Sequence, residues 1–258
     1  MSLRTKLLER YQDLHRVNGW PAWAFQVVPP TPLVGQDYVR GEGLLVYGSA
    51  ENLSKGRVKV AAAEKWERHR EHLEQWKREG AAGFPHMHCK PIQDGGLLVA
   101  AAFVLSISGR PVNRSRAAFI EAIAVGNVGK FAIAAHPNKD YAGNGLKLAD
   151  SVPFLQADLE LLQPSILFLP KSAWGGIGNE LRPYLKGTRI VAAYQCQPRV
   201  INVHLGTNYD GRAHELASQY QDAPWKYWFG DLARSLKRGM WRYLAHVEEA
   251  WVRGPSWS

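Results

Sequence analysis

Two segments of the chain carry apolar residues three or four positions apart, which is the spacing of an amphipathic helix. The first segment runs from Leu3 to Val17. The second lies near the end of the sequence and has apolar residues at Leu232, Leu236, Met240, Leu244, Val247 and Trp251. The other side of this second segment is basic, with Arg234, Lys237, Arg238 and Arg242. We expect the apolar stripe to pack in the core and the basic side to face solvent, where phosphates could reach it.

Shorter apolar runs have the composition of buried parallel strands, at residues 43–48, 119–125, 165–169 and 189–194. Helical patterns separate them, at residues 61–78, 146–162 and 172–185. Ser172 is expected to cap the last of these helices. The run 97–107 is long enough for a buried helix but is also compatible with a strand.

Strands that alternate with helices predict an α/β protein, here a three-layer α/β/α sandwich with a short, mostly parallel central sheet. We expect a single domain over residues 1–258. Its core would span residues 43–205, after a helical or irregular extension at 1–42 and before C-terminal helices at 206–258.

Composition narrows the class of protein. The 258 residues are 46% hydrophobic, which excludes a disordered or fibrous protein, and no apolar run reaches the length of a membrane span. Two cysteines, Cys89 and Cys196, are too few for a disulfide framework or a four-cysteine iron–sulfur cluster. The start of the sequence has no pattern of a secretory signal. We expect a cytoplasmic monomer that needs no metal or organic cofactor.

The charge balance favours a polyanionic partner. Lys and Arg number 32 against 23 Asp and Glu, so the formal net charge is +9. Ten Trp and ten Tyr supply rings that suit unstacked bases or sugars. A basic protein without a nucleic-acid partner remains an alternative.

Ligands of open α/β sheets bind at the carboxyl ends of the strands, so the segments that follow the predicted strands are the candidate site. The segments at 48–54, 126–131 and 195–204 contain one carboxylate, Glu51, and several side-chain amides, which suit reading the edge of a base. Neither a phosphate-binding P-loop nor a Gly-x-Ser-x-Gly nucleophile elbow occurs. His86, His88 and Cys89 are a weak metal candidate without further ligands nearby.

The order and spacing of four stretches resemble the uracil-DNA glycosylase superfamily. They are Val46-Tyr47-Gly48-Ser49-Ala50-Glu51-Asn52, Ile123-Ala124-Val125-Gly126-Asn127, residues 164–174 (PSILFLPKSAW) and Gln195-Cys196-Gln197-Pro198. The resemblance covers residues 43–205. In that family the first stretch activates water, the second ends in an asparagine that reads the base, and the last grips DNA.

The resemblance implies roles for individual residues. The catalytic residues would be Glu51, Asn52 and His204. Residues that contact the flipped base would be Ser49, Ala50, Asn127, Phe131 and Phe84. Residues that contact DNA would be Gln195, Gln197, Arg199 and Lys130. For Glu51 and Asn52 a helix cap, and for Asn127 a tight turn, are the structural alternatives.

Asn52 also bears on the substrate. In the uracil-specific branch of the family a bulky tyrosine closes the pocket beside C5 of the pyrimidine, and Asn52 is smaller. This is closer to a phage-defence branch that removes glucosylated hydroxymethylcytosine from viral DNA. The expected function is therefore excision of that base by a monofunctional DNA glycosylase. Alternatives are a uracil-DNA glycosylase of base excision repair, a non-catalytic DNA-binding module, or an enzyme of small nucleotides or sugars.

Overall fold

The computed structural model describes residues 2–17, 31–50, 95–130 and 148–255. Its five strands are β1 (Leu33–Val34), β2 (Leu44–Ala50), β3 (Ala124–Gly129), β4 (Ile166–Pro170) and β5 (Arg189–Ala193). They form one sheet in the order β1–β3–β2–β4–β5. β2 to β5 are parallel, and β1 is antiparallel to β3 at the edge. The predicted α/β class with a mostly parallel sheet is confirmed, whereas two-residue β1 is too short to show a pattern in the sequence.

The described helices are α1 (Leu3–Val17), α2 (Gly95–Ile107), α3 (Arg116–Glu121), α4 (Val152–Leu162), α5 (Lys171–Leu181), α6 (Asp210–Gln219), α7 (Arg234–Lys237) and α8 (Met240–Arg253). Short 3₁₀ helices cover Leu148–Ser151, Arg182–Tyr184 and Pro224–Asp231, and a π-helical turn covers Val200–His204. Among these described helices, none combines the length and the apolar content that a membrane span requires.

α2 resolves the ambiguity of the run 97–107. It is a helix, and its residues from Gly95 to Leu105 are all buried. A helix that is apolar on every side has no solvent-facing stripe, so periodicity cannot separate it from a strand. The helical assignment follows from its packing against β2, α8 and the 3₁₀ helix Pro224–Asp231.

Alternate strand residues enter two separate hydrophobic clusters because successive side chains of a strand point to opposite faces. Leu44 and Val46 of β2 belong to the cluster that contains α2 and α8. Leu45 and Tyr47 belong to the cluster that contains α1, α4 and α5. Residues 1–42 contribute Leu7 and Val34 to this second cluster, so part of the expected extension is built into the core.

β3 begins later than the sequence predicts. The strand expected at 119–125 is instead α3 followed by a turn, and β3 starts at Ala124. The physical reason is an N-cap: Ser115 Oγ accepts a hydrogen bond from the backbone N–H of Ala118 at 3.4 Å. Asn127, expected in a loop, therefore lies inside β3.

Two further boundaries differ from expectation. Ser172 is not the N-cap of α5, because Pro170, the last residue of β4, occupies that position and the strand passes directly into the helix. The C-terminal stripe is confirmed as buried from Leu232 to Val247, but a break at Gly239 divides it into α7 and α8. A Cβ on Gly239 would lie 2.0 Å from Cγ2 of Ile201, so the close approach of the π-helical turn requires glycine there. The helix predicted at 61–78 lies outside the described residues.

Candidate functional site at the carboxyl edge of the sheet

The central strands separate at one point of the carboxyl edge. The chain goes from β2 to β3 on one side and then crosses to β4 on the other side, so β2 and β4 flank the topological switch point where ligands of open α/β sheets bind. Their pairing ends at Val46 opposite Phe168. By contrast, β2 stays paired with β3 as far as Ala50 opposite Gly129, and β4 with β5 as far as Pro170 opposite Ala193. The sheet therefore splits between β2 and β4, beside the predicted catalytic stretch.

Only some of the residues expected to do the chemistry lie in the described part of the chain. Ser49 is half-buried near the end of β2, and Ala50 is the last residue of that strand. Glu51 and Asn52, the next two residues in the sequence, lie outside the described residues. Phe84 and Phe131 lie outside them as well. The roles implied for these residues stay predictions.

Asn127 lies one strand away from the split. It pairs with Gly48 of β2, and its side chain is buried. Because residues alternate along β3, Asn127 points to the same face as Val125, which packs in the cluster of α2 and α8. An asparagine in a strand does not have the turn geometry that its structural alternative required. Its role in reading a base stays a prediction.

Lys130 does not lie on a DNA-contacting surface, which corrects the expectation for this residue. Its side chain is 1% exposed, and Nζ is 2.6 Å from Oδ2 of Asp158, which is itself 0% exposed. The hydroxyls of Tyr11 and Tyr47 donate to the same carboxylate at 2.8 and 2.7 Å. The backbone N–H of Lys130 donates to Ser151 Oγ at 2.9 Å. A buried lysine that is already paired cannot reach a phosphate at the surface.

Burial controls the ionisation of this cluster, which we call the β3 network (Tyr11, Tyr47, Lys130 and Asp158). Desolvation lowers the pKa of Lys130 and raises the pKa of Asp158, and the attraction between the two opposes both shifts. Desolvation and the neighbouring Asp158 raise the pKa of Tyr11 and Tyr47, which keeps both hydroxyls protonated as donors. The network fastens the carboxyl end of β3 to α1 and α4.

The segment after β5 carries the other DNA-contacting candidates. Gln195 is half-buried, whereas Gln197 and Arg199 are exposed. Nε2 of Gln197 donates to Oε1 of Gln195 at 2.5 Å, so the two amides fix each other and keep further donors and acceptors available. His204 is exposed at the end of the π-helical turn. The structure thus brings these four residues to the carboxyl end of β5.

An aromatic group that the sequence did not single out begins this segment. Tyr194, 41% exposed, stacks on His246 of α8, with ring centroids 4.9 Å apart and planes 23° apart. Lys171 Nζ is 5.4 Å from the centroid of the Tyr194 ring, and the centroid of the His204 ring is 6.3 Å away. A partly exposed aromatic ring thus lies close to a lysine and a histidine, and this combination of side chains is typical of base-stacking surfaces.

α8 and Tyr209, the residue that precedes α6, hold Tyr194 through a second polar network, the β5 network (Tyr194, Tyr209, Tyr243, His246 and Glu249). The backbone N–H of Tyr194 donates to Nε2 of His246 at 3.1 Å, and its carbonyl accepts from the hydroxyl of Tyr243 at 2.7 Å. Nδ1 of His246 is 3.1 Å from the hydroxyl of Tyr209, which donates to Glu249. Both polar groups of the Tyr194 backbone are therefore bound by α8.

The β5 network fixes the protonation of His246. Burial lowers its pKa from 6.5 to about 4, with Glu249 opposing and Lys171 adding to the shift. Because Nε2 accepts a backbone N–H, the proton of the neutral ring is on Nδ1 and is donated to Tyr209. Burial and the bond to Glu249 raise the pKa of Tyr209 to about 12, so its hydroxyl stays protonated.

Other candidates contribute less. Among the described residues, no three His, Cys, Asp or Glu side chains come together as metal ligands do. His86, His88 and Cys89 lie outside the described residues. An open groove of about 460 Å³ lies at the opposite, amino edge of the sheet, beside Gly41, Gln163 and Lys186, and none of the predicted site residues lines it.

Comparison with known proteins adds no relative: no family model, curated protein or solved structure matches the chain.

Proposed function

We propose that the chain is a DNA glycosylase, built on a three-layer α/β/α sandwich, that extrudes a modified pyrimidine and hydrolyses its glycosidic bond. The parting of β2 and β4 supports this proposal, because ligands of open α/β sheets bind at such a point and β2 is the strand that leads to Glu51. Extrusion is required since the bond is not accessible in stacked duplex. Of the four stretches that resemble the uracil-DNA glycosylase superfamily, the first three include residues of β2, β3 and β4, and the fourth directly follows β5; all four strands end at this edge.

The chemistry assigned to the site follows from the bond that is broken. Cleavage of an N-glycosidic bond passes through a cationic, oxocarbenium-like sugar, which a carboxylate stabilises while it orients water. Glu51 is the residue proposed for this role, and Asn127 is proposed to bind the edge of the base. His204 is proposed to donate to the carbonyl oxygen of the departing base. The product is an abasic site.

The substrate proposed is α-glucosyl-hydroxymethylcytosine in phage DNA. The support for it is Asn52 in place of a bulky aromatic residue beside C5, next to the small Ser49 and Ala50. The exposed ring of Tyr194 adds an aromatic face at the same edge of the sheet. Removal of such a base would serve bacterial defence against phages.

The test is a comparison of duplexes with one sequence and a single variable base: glucosylated hydroxymethylcytosine, hydroxymethylcytosine, cytosine or uracil. Hot alkali cleaves the strand only where a base has been excised. We expect cleavage of the glucosylated duplex and little or none of the uracil duplex. Cleavage of uracil alone would make the protein a repair glycosylase. No cleavage of any duplex, together with binding to all of them, would leave a non-catalytic module. Trapping of a covalent adduct by borohydride would overturn the monofunctional assignment.

Two variants test the assigned residues in that assay. Glu51→Gln should lower the excision rate by about 10²–10⁴-fold, the usual contribution of a positioned acid or base, whereas the change of exposed Glu9 to Gln on α1 should leave the rate as it is. Asn127→Ala should lower the rate by about 10–100-fold because a buried partner of the base is lost, with exposed Asn179→Ala of α5 as the control. Full activity of the Asn127→Ala variant on every substrate would remove its base-reading role.

A further inference from the structure

Two groups of surface cations in the C-terminal region differ in whether carboxylates pair with them. On the face formed by α6 and α8, each is paired with a carboxylate. Arg212 binds Glu248 at 2.5 and 2.6 Å and Glu215 at 2.6 Å. Arg253 is 2.8 Å from Glu249, and Arg242 binds Asp210. This face is charge-compensated by the protein itself.

The second group has no such compensation. Its members are Arg199, Arg234, Lys237 and Arg238, all exposed, and within the described part of the chain none forms an ion pair. The segments that carry them, residues 195–204 and 232–240, contain no Asp or Glu. The nearest acid in the sequence, Asp231, lies 3.9 Å from Arg116. We call this group the unpaired basic surface.

The two segments of the unpaired basic surface pack against each other at the carboxyl end of β5. Sγ of Cys196 is 4.0 Å from Sδ of Met240. The π-helical turn that follows Arg199 packs against Gly239, where any Cβ would collide with Ile201. A Cβ on Gly96 of α2 would meet both Cys196 and Leu236, so the N-terminus of α2 also packs against the two segments. The segment that carries Arg199, Gln195 and Gln197 is thereby packed against the segment that carries the cations of α7.

We propose that the unpaired basic surface binds the sugar–phosphate backbone of duplex DNA. Uncompensated neighbouring cations repel one another, and a line of phosphates removes that repulsion while it releases condensed counterions. The proposal takes its ligand from the proposed function and extends the DNA-contacting segment from Gln195–Arg199 to α7, more than thirty residues later in the chain. In this proposal the unpaired basic surface binds the DNA backbone, and the base is recognised at the split between β2 and β4.

The test measures binding of the full chain to a fluorescently labelled 24-base-pair duplex that contains no modified base. Fluorescence anisotropy monitors the binding at KCl concentrations from 50 to 300 mM. The variant is Arg234→Gln/Lys237→Gln/Arg238→Gln, which lowers the net charge from +9 to +6. The matched control, Lys6→Gln/Arg10→Gln/Lys186→Gln, makes the same change at exposed positions on α1 and after α5. We expect the first variant to bind at least tenfold more weakly at 100 mM KCl. Its salt slope should be shallower by about 2.7, since each lost phosphate contact contributes about 0.9. The control should stay within about twofold of the unaltered protein.

Each other outcome contradicts the proposal. Equal weakening of DNA binding in both triple variants would mean that binding depends on the net charge of the protein and not on this surface. Unchanged binding in the first variant would place the DNA elsewhere. Binding to vesicles of anionic phospholipid, with none to DNA, would assign the surface to a membrane. Because the duplex contains no modified base, these results do not depend on excision. A protein that binds as expected but excises no base would refute the proposed glycosylase activity and would still support the proposed DNA-binding surface.

Discussion

The carboxyl ends of β3 and β5 are each held by a polar network, and the two networks are built on different principles. The β3 network is an ion pair with two tyrosine donors, and both charged side chains are at most 1% exposed. The β5 network is centred on a neutral histidine and reaches solvent at Glu249, which is 30% exposed. The β3 network joins β3, α1 and α4 inside the protein. The β5 network holds the partly exposed ring of Tyr194 in place through contacts on its buried side.

Removal of one charge from the β3 network should have the largest effect on stability. Asp158→Ala leaves Lys130 buried without a counter-ion and takes the acceptor from two tyrosines. We expect the free energy of unfolding to fall by about 3–5 kcal/mol in urea denaturation. Exposed Asp222→Ala should change it by less than about 0.5 kcal/mol.

The double variant Lys130→Met/Asp158→Asn separates charge from packing. It removes both charges but keeps an amide oxygen that can accept from Tyr11 and Tyr47, so it should recover more than half of the loss. If the double variant were less stable than Asp158→Ala, the cost would come from lost side-chain packing, and the unpaired charge would not be its cause.

The β5 network should respond to acid, because its histidine is neutral in the folded state. The pKa of His246 is about 4 when folded and returns to 6.5 when unfolded, so between these values the unfolded chain binds more protons. The free energy of unfolding should therefore decrease as pH falls from 6.5 towards 4, by about 2–3 kcal/mol from this group. The measurement is urea denaturation at a series of pH values.

His246→Gln keeps an acceptor for the Tyr194 N–H but cannot take up a proton, so it should flatten the pH dependence between 6.5 and 5. Exposed His214→Gln on α6 is the matched control and should leave the slope as it is. An unchanged slope in the His246→Gln variant would mean that another group is responsible for acid destabilisation.

The sequence predicted those elements whose signals are local. α1 has both of its predicted ends because a helical apolar stripe stops at Asn18-Gly19. β4 and β5 match their apolar runs to within one residue, since turn residues bound each run. The start of β3 differs from the prediction because the apolar run continues from α3 into the strand without a break, so only the capping Ser115 distinguishes the helix from the strand.

The site was less predictable, since its decisive contacts join distant parts of the chain. Lys130 looked like a surface lysine after a strand, and its partner Asp158 is 28 residues away on α4. Tyr194 and His246 are 52 residues apart, and they meet only because α8 packs on β5. For Lys130 the sequence does carry one signal of burial, because the alternation of side chains along β3 directs this charged residue towards the core. Asp158, Tyr194 and His246 carry no comparable signal.

The last and smallest expected effect compares one hydroxyl from each network. Tyr47→Phe removes a donor to a fully buried carboxylate, and a hydrogen bond to a charged group is worth about 1.5–3 kcal/mol. Tyr209→Phe removes the bond to Glu249 and the acceptor of the His246 Nδ1–H. Glu249 keeps Arg253 at 2.8 Å and is open to water, so a loss of about 1 kcal/mol is expected. Both changes keep the aromatic ring. Tyr220, a half-buried tyrosine whose ring packs against Phe103, provides the control, and its change to Phe should lower the free energy of unfolding only slightly. Unfolding in urea at pH 7 measures all three. Equal losses in the first two variants would show that solvent does not reach the β5 network and that the two networks differ in charge alone.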